Sequence, residues 1–186
     1  NNACIKNLNF ENANIVVDRV SNVAVAVANA ENSTILNITA SGQIKAVGNF
    51  DGATLSGIVG VSVRSTISGC VSILSFDVEE ANANLIQVAG IAQVEATISN
   101  CLVSTFIKGT PQRYFPIGDE ATISKCIVVE SNGIPSEIQP TYSSCYFDFQ
   151  NTRIAEFPVQ QTFINGFYAR QTSELTTGSF FNDANW

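Results

Sequence analysis

The chain has 186 residues, of which 45% are hydrophobic and 13% charged, a length and apolar share that suit one domain or one segment of an elongated array. Sixteen Asp and Glu against nine Lys and Arg leave a net charge of −7 with no basic cluster, which argues against binding to phosphate backbones. There is no His, so imidazole triads, imidazole general bases and His-containing metal sites are excluded.

The first stretch, "NNACIKNLNF", has neither a basic start nor an apolar run, so no signal peptide is expected in it. "IKNLNF" already reads as the middle of a strand, as in a piece of a longer array. Next come "VAVAVANA" (23–30), "SGIVGVSV" (56–63) and "VAGIAQV" (88–94), short β-branched or small runs bounded by Gly, Asn and Ser, which read as strands. Each precedes an Ile anchor in the set Ile35, Ile67, Ile98 and Ile123, with Ile5 as an earlier member. The spacings are 30, 32, 31 and 25 residues, a drifting period that signals repeated units with unequal loops. After the anchors run further strand-like pieces such as "CVSILSFDV" and "CLVSTFIKG". No run approaches the roughly 18 apolar residues of a membrane span.

Columns emerge when the units are aligned. Thr34, Thr66, Thr97 and Thr122 precede the last four anchors, and Ser68, Ser99 and Ser124 follow the last three. Two residues after each anchor stand Asn7, Asn37, Gly69, Asn100 and Lys125, mostly types that tolerate a left-handed backbone, so one bend per unit is expected there. Three residues after come Leu8, Ile38, Cys70, Cys101 and Cys126, with Cys145 as a further member, and this mixture reads as a small apolar core position. Stacked Cβ atoms about 4.8 Å apart exceed the ~3.5–4.5 Å of a disulfide, so buried free thiols are expected. Three short strands per unit predict an all-β, right-handed parallel β-helix (solenoid) of about five coils over residues 1–155. A β-sandwich, the competing fold, would not repeat three columns at this period.

The segment "GIVGVSVRSTISGC" (57–70) resembles the GLUG-motif repeat, a Gly-Leu-x-Gly segment followed by a "TI-x-N-C"-like strand. Gly57-Ile58-Val59-Gly60 carries the first half with Ile for Leu, and "ATISNC" (96–101) carries the second. Val25-Ala26-Val27-Ala28 departs from the pattern with Ala for Gly, the unit at 88–94 keeps only Gly90 clearly, and "RYFPIGDEATISKC" is the most divergent. The resemblance implies a filamentous-adhesin-like β-helix of a secreted or surface protein of microbes, and supplies no catalytic residue.

Other constellations have modest readings. Asn32, Arg64, Glu95 and Glu120 lie three residues before the anchors. Glu95 and Glu120, one coil apart, form either the acidic face of a polysaccharide-processing site or a solvated ladder with one ion pair. "FDVEE" (76–80) and "GDE" (118–120) offer oxygen atoms but lack a repeated calcium-binding pattern. No catalytic, cofactor or metal residue is therefore assigned. The sequons at Asn32 and Asn37 are short enough to arise by chance. From Glu156 onward the chain is rich in aromatics (Phe157, Phe163, Phe167, Tyr168, Phe180, Phe181, Trp186), with one helical hint, "TSEL" at 172–175. Residues 156–186 read as a cap over the last coil, or as an aromatic platform for sugar. The expected partners are other proteins, through coil ends, or a host or glycan surface, with no nucleic acid and no cofactor.

Overall fold

The five Ile anchors lie on one parallel ladder: Ile5 faces Ile35, then Ile67, Ile98 and Ile123 follow in register, and Tyr142 takes the next rung. The structure is a computed structural model that describes residues 2–19, 21–131, 141–148, 150–151, 163–164 and 167–177. It is an all-β parallel solenoid. Strand β1 (Cys4–Val17) supplies one face only. Three turns then carry strands on every face: β2 (Asn22–Ala24), β3 (Val27–Glu31) and β4 (Thr34–Ala46); β5 (Ala53–Ser56), β6 (Val59–Val63), β7 (Ser65–Ser68) and β8 (Val71–Asp77); β9 (Ile86–Ala89), β10 (Ala92–Gln93), β11 (Ala96–Ser99) and β12 (Leu102–Lys108). The next unit has β13 (Arg113–Phe115), β14 (Thr122–Ser124) and β15 (Ile127–Ser131), and only a bridge between Ala92 and Gly118 on its second face. Then come β16 (Thr141–Ser143), β17 (Cys145–Asp148), β18 (Phe163–Ile164), β19 (Phe167–Arg170) and helix α1 (Thr172–Leu175). The solenoid therefore has about three turns rather than five. Each anchor marks one corner, and the first and last anchors belong to incomplete turns.

The first face stacks β2, β5, β9 and β13, and the second stacks β3, β6 and β10. The third is one large sheet that β4 spans from end to end. The short strands β7, β11, β14 and β16 continue from its first half, and β8, β12, β15, β17, β19 and β18 from its second. Between the faces, alternate residues point inward. Val23, Leu55, Val88 and Tyr114 form one buried rung set on the first face, and Ile35, Ile67, Ile98 and Ile123 form another on the third. Each fully buried Ile or Leu contributes about 1.5–3 kcal/mol relative to exposure.

Two bends per unit turn the chain, one more than the sequence suggests. The first is the column Asn7, Asn37, Gly69, Asn100, Lys125 and Ser144, all with φ between 52° and 66°. The second is Asn32, Arg64, Glu95 and Glu120, with φ between 36° and 50°. At both, the residue after the bend reaches back to the carbonyl two positions earlier. Ser33 and Ser65 hydroxyls donate to the Glu31 and Val63 carbonyls at 2.8 and 3.1 Å. The Cys70, Cys101, Cys126 and Cys145 thiols donate to the Ser68, Ser99, Ser124 and Ser143 carbonyls at 3.1–3.5 Å. Cysteine here is a small apolar filler whose thiol adds a second, weak donor, since the Ser99, Ser124 and Ser143 carbonyls already accept the Gly69, Asn100 and Lys125 backbone N–H groups. All four of these thiols are free and buried, whereas Cys4 is exposed and shares the register of Thr34. Leu8 shares the register of Ile38 but is 44% exposed, because among the described residues β1 has only β4 beside it.

Gly57 sits at the turn between the first two faces and Gly60 near the start of β6, where coils pack backbone to backbone. A Cβ on Gly57 would overlap the Gly90 carbonyl and the Ser72 hydroxyl, and one on Gly90 would overlap the Pro116 carbonyl. These glycines are required by space rather than by backbone angle.

At the other end, β19 stacks parallel on β17 and β18 pairs antiparallel with β19, so the large sheet continues beyond residue 155. Buried Asp148 accepts hydrogen bonds from Gln150 N, Asn151 Nδ2 and Thr172 Oγ1 at 2.7–2.9 Å, which ties α1 to the end of β17. The side chains of Gln171 and Glu174 form a capping box on α1. Arg170 lies over the Tyr146 ring at 5.6 Å, and Tyr168 is tilted against Tyr146. Phe157, Phe180, Phe181 and Trp186 lie outside the described residues, as do the side chains of Phe163 and Phe167.

Candidate functional site

The acidic column lies on exposed bends of the solenoid. Glu95 and Glu120 are both exposed and both sit at left-handed corners, which aim them outward from successive coils. The Arg64 backbone N–H donates to the Glu95 carbonyl, so the two residues are cross-coil neighbours. Its guanidinium, however, pairs with Glu31 on the other side, at 3.1 Å. That exposed pair contributes at most about 1 kcal/mol.

The "FDVEE" carboxylates are occupied by lysines. Lys45, Asp77 and Lys108 share one rung across β4, β8 and β12. Lys45 binds Glu80 at 2.9 Å, and Lys108 binds Glu79 at 2.5 Å and Asp77 at 3.7 Å. The Glu80 and Glu79 hydrogen bonds respectively raise the pKa of Lys45 and Lys108. Among the described residues no group of three or more Cys, Asp and Glu converges as a metal site. In "GDE", buried Asp119 accepts from the Glu120 N–H at 2.9 Å. Its pKa is raised, first by burial and also by the Glu120 charge, against the pull of the Glu120 N–H and Arg113.

The thiol column is closed off from solvent. Burial, followed by the Cys101 and Cys145 thiols, pushes Cys126 well up. The hydrogen bond with Cys101, followed by burial, pushes Cys70 up. Hydrogen bonds with Cys126 pull Cys101 well down and Cys145 down, yet all four thiols are buried and donate to backbone carbonyls, so solvent does not reach them.

A polar slot between the first and second faces is the feature that sequence reading missed. Asn22, Thr54, Gln87 and Arg113 share one rung set on the first face, and Asn29, Val61 and Gln93 share one on the second. Asn22 Nδ2 donates to Asn29 Oδ1 at 2.8 Å, and Gln93 Nε2 donates to Gln87 Oε1. The two faces therefore look at each other across their turn. At the mouth of the slot lies an open cleft of about 170 Å³. The available signal in sequence was a polar residue recurring at the start of each first-face strand, but nothing local showed which strands would face.

The chain matches no protein-family model, no curated protein and no solved structure.

Proposed function

We propose that this chain is a non-enzymatic structural and adhesive β-solenoid segment of a secreted or cell-surface protein, of the GLUG-repeat, filamentous-adhesin-like kind, that associates through its coil ends. The observation that supports this reading is the state of β1. In the described structure its 14 residues pair along one edge only, with β4. Ile5, Phe10 and Ile15 are half-buried, while their partners Ile35, Ala40 and Ile44 are fully buried. A further coil laid parallel on β1, from the same polypeptide or from another copy, buries this row and satisfies the open edge. The left-handed bends at Asn2, Asn7 and Asn12 favour a strand bent at the same places, which means a parallel one. The secreted or surface location rests on the GLUG resemblance. No described helix is long and apolar enough to cross a membrane.

The alternative, a polysaccharide-processing β-helix with an acidic groove at Glu95 and Glu120, has less support. Its carboxylates stand in solvent at exposed bends, and Arg64 is engaged elsewhere.

Sedimentation of the chain over a range of concentrations tests the proposal, alongside a Leu8→Lys, Val16→Lys variant. Concentration-dependent association that the two lysines abolish supports it. A monomer at every concentration, or turnover of a uronic-acid polymer that is lost in Glu95→Gln, overturns it.

A further inference from the structure

We infer that the cleft at the start of the first face is a binding site for a neutral, hydroxyl-rich ring, a single sugar residue of a glycan. The site is lined by Ser21, Asn22, Thr54, Gln87, Gln112 and Leu85, and no charged residue among the described ones lines it. It does not involve β1, so it stands or falls separately from the association proposed above.

The polar groups are presented in a defined order. Asn22 uses its Nδ2 on Asn29, which leaves Oδ1 to accept. Gln87 uses its Oε1 to accept from Gln93, which leaves Nε2 to donate. Gln93 is 3% exposed and acts as a positioning residue, holding the Gln87 amide from within the slot. The hydroxyls of Ser21 and Thr54 and the Gln112 amide both donate and accept. Asn22, Thr54 and Gln87 stand on consecutive rungs, about 4.8 Å apart. Adjacent hydroxyls on a sugar each need one donor and one acceptor, and this alternation meets that need.

Size and polarity narrow the ligand. The cleft, at about 170 Å³, is well below the ~300–1,000 Å³ that takes a drug-sized molecule, so it accepts one ring. Leu85, half-buried at the rim, offers an apolar patch for the C–H face of that ring. With no cation in the lining, an anionic ligand gains nothing over a neutral one. Arg113 occupies the next rung, beyond the lining.

The test is nitrogen-15 NMR of the side-chain amides during titration with methyl hexopyranosides, with a methyl glucuronide and a neutral tripeptide as controls. Neutral glycosides at millimolar concentration should shift the Gln87 and Gln112 amide resonances. Gln87→Ala and Gln112→Ala should each lower the affinity about tenfold or more, as loss of a site's hydrogen bonds to a hydroxyl does. Gln112 is exposed, so its removal leaves the fold intact. Gln93→Leu should move the free-state Gln87 resonance and weaken the same titration. The inference is overturned by absence of shifts with every neutral glycoside, by shifts that survive both alanine substitutions, or by response to the glucuronide or tripeptide alone.

Discussion

Gly57 and Gly90 stand one coil apart, and a methyl group on Gly57 would occupy the space of the Gly90 carbonyl oxygen. Neither glycine has a positive φ, so their role is to let successive coils touch through the backbone. The same relationship runs on from Gly90 to Pro116 and, more loosely, from Gly118 to the Ala92 carbonyl. Gly57→Ala and Gly90→Ala should therefore each destabilise by about 1–3 kcal/mol or more, the cost of overpacking against atoms that cannot move aside. Gly52→Ala meets nothing nearby and strains only its own φ of 85°. Urea unfolding of the three variants checks this order. An equal cost at all three positions would show that coil contact is not the cause.

The thiols should divide cleanly by accessibility. Cys4 is the one exposed cysteine, and the other four are buried. Ellman's reagent should find about one reactive thiol in the native protein and all five in denaturant. Cys101→Ala should cost on the order of 1–2 kcal/mol, mainly from lost sulfur packing, because the Ser99 carbonyl keeps the Gly69 N–H when the thiol is removed. Only one free thiol in denaturant would mean disulfides and sink this account.

Asp119 gives the pH dependence a sign. Burial raises its folded pKa, so the native state binds its proton more tightly than the unfolded chain, whose value is about 3.9. Stability should rise as pH falls from above the folded pKa towards about 3.9, because the native state takes up the proton first. At neutral pH the ionised, buried carboxylate is a cost. Asp119→Asn should accordingly be more stable than the parent at neutral pH, and the two should converge in acid. Melting temperatures against pH decide it, and a parent that is the more stable at neutral pH contradicts the assignment.

Asp148 holds α1 to the solenoid through Thr172 and Asn151. Asp148→Ala removes the acceptor for three donors, and should destabilise by about 1–3 kcal/mol. Hydrogen exchange should report the loss first as faster exchange of amides 174–177, which form the helix bonds. Unchanged protection there would place the tether elsewhere.

Much of the architecture could be read from the chain itself. Ile5, Ile35, Ile67, Ile98 and Ile123, the bend residues Asn37 and Asn100 and the Cys column recur because each coil offers its residues the same surroundings. Repetition turns a three-dimensional stack into a one-dimensional period. The number of turns was less legible, since an Ile anchor needs only one corner to be useful. The second bend escaped notice because Arg64, Glu95 and Glu120 are unusual in left-handed backbone and conceal what Asn32 alone suggests.

By itself, then, the sequence determined the parallel solenoid, its inward Ile and Cys columns and the bend that follows each anchor. Only the tertiary structure decided that Arg64 pairs with Glu31 rather than Glu95, and that Gln87 meets Gln93 and Asn22 meets Asn29 across a slot. The physical reason is that stacking follows from the period, whereas the facing of two sheets depends on how far each turn rotates the chain. That turn is packed through contacts between coils, Gly57 against Gly90 and Gly90 against Pro116, which no single unit contains.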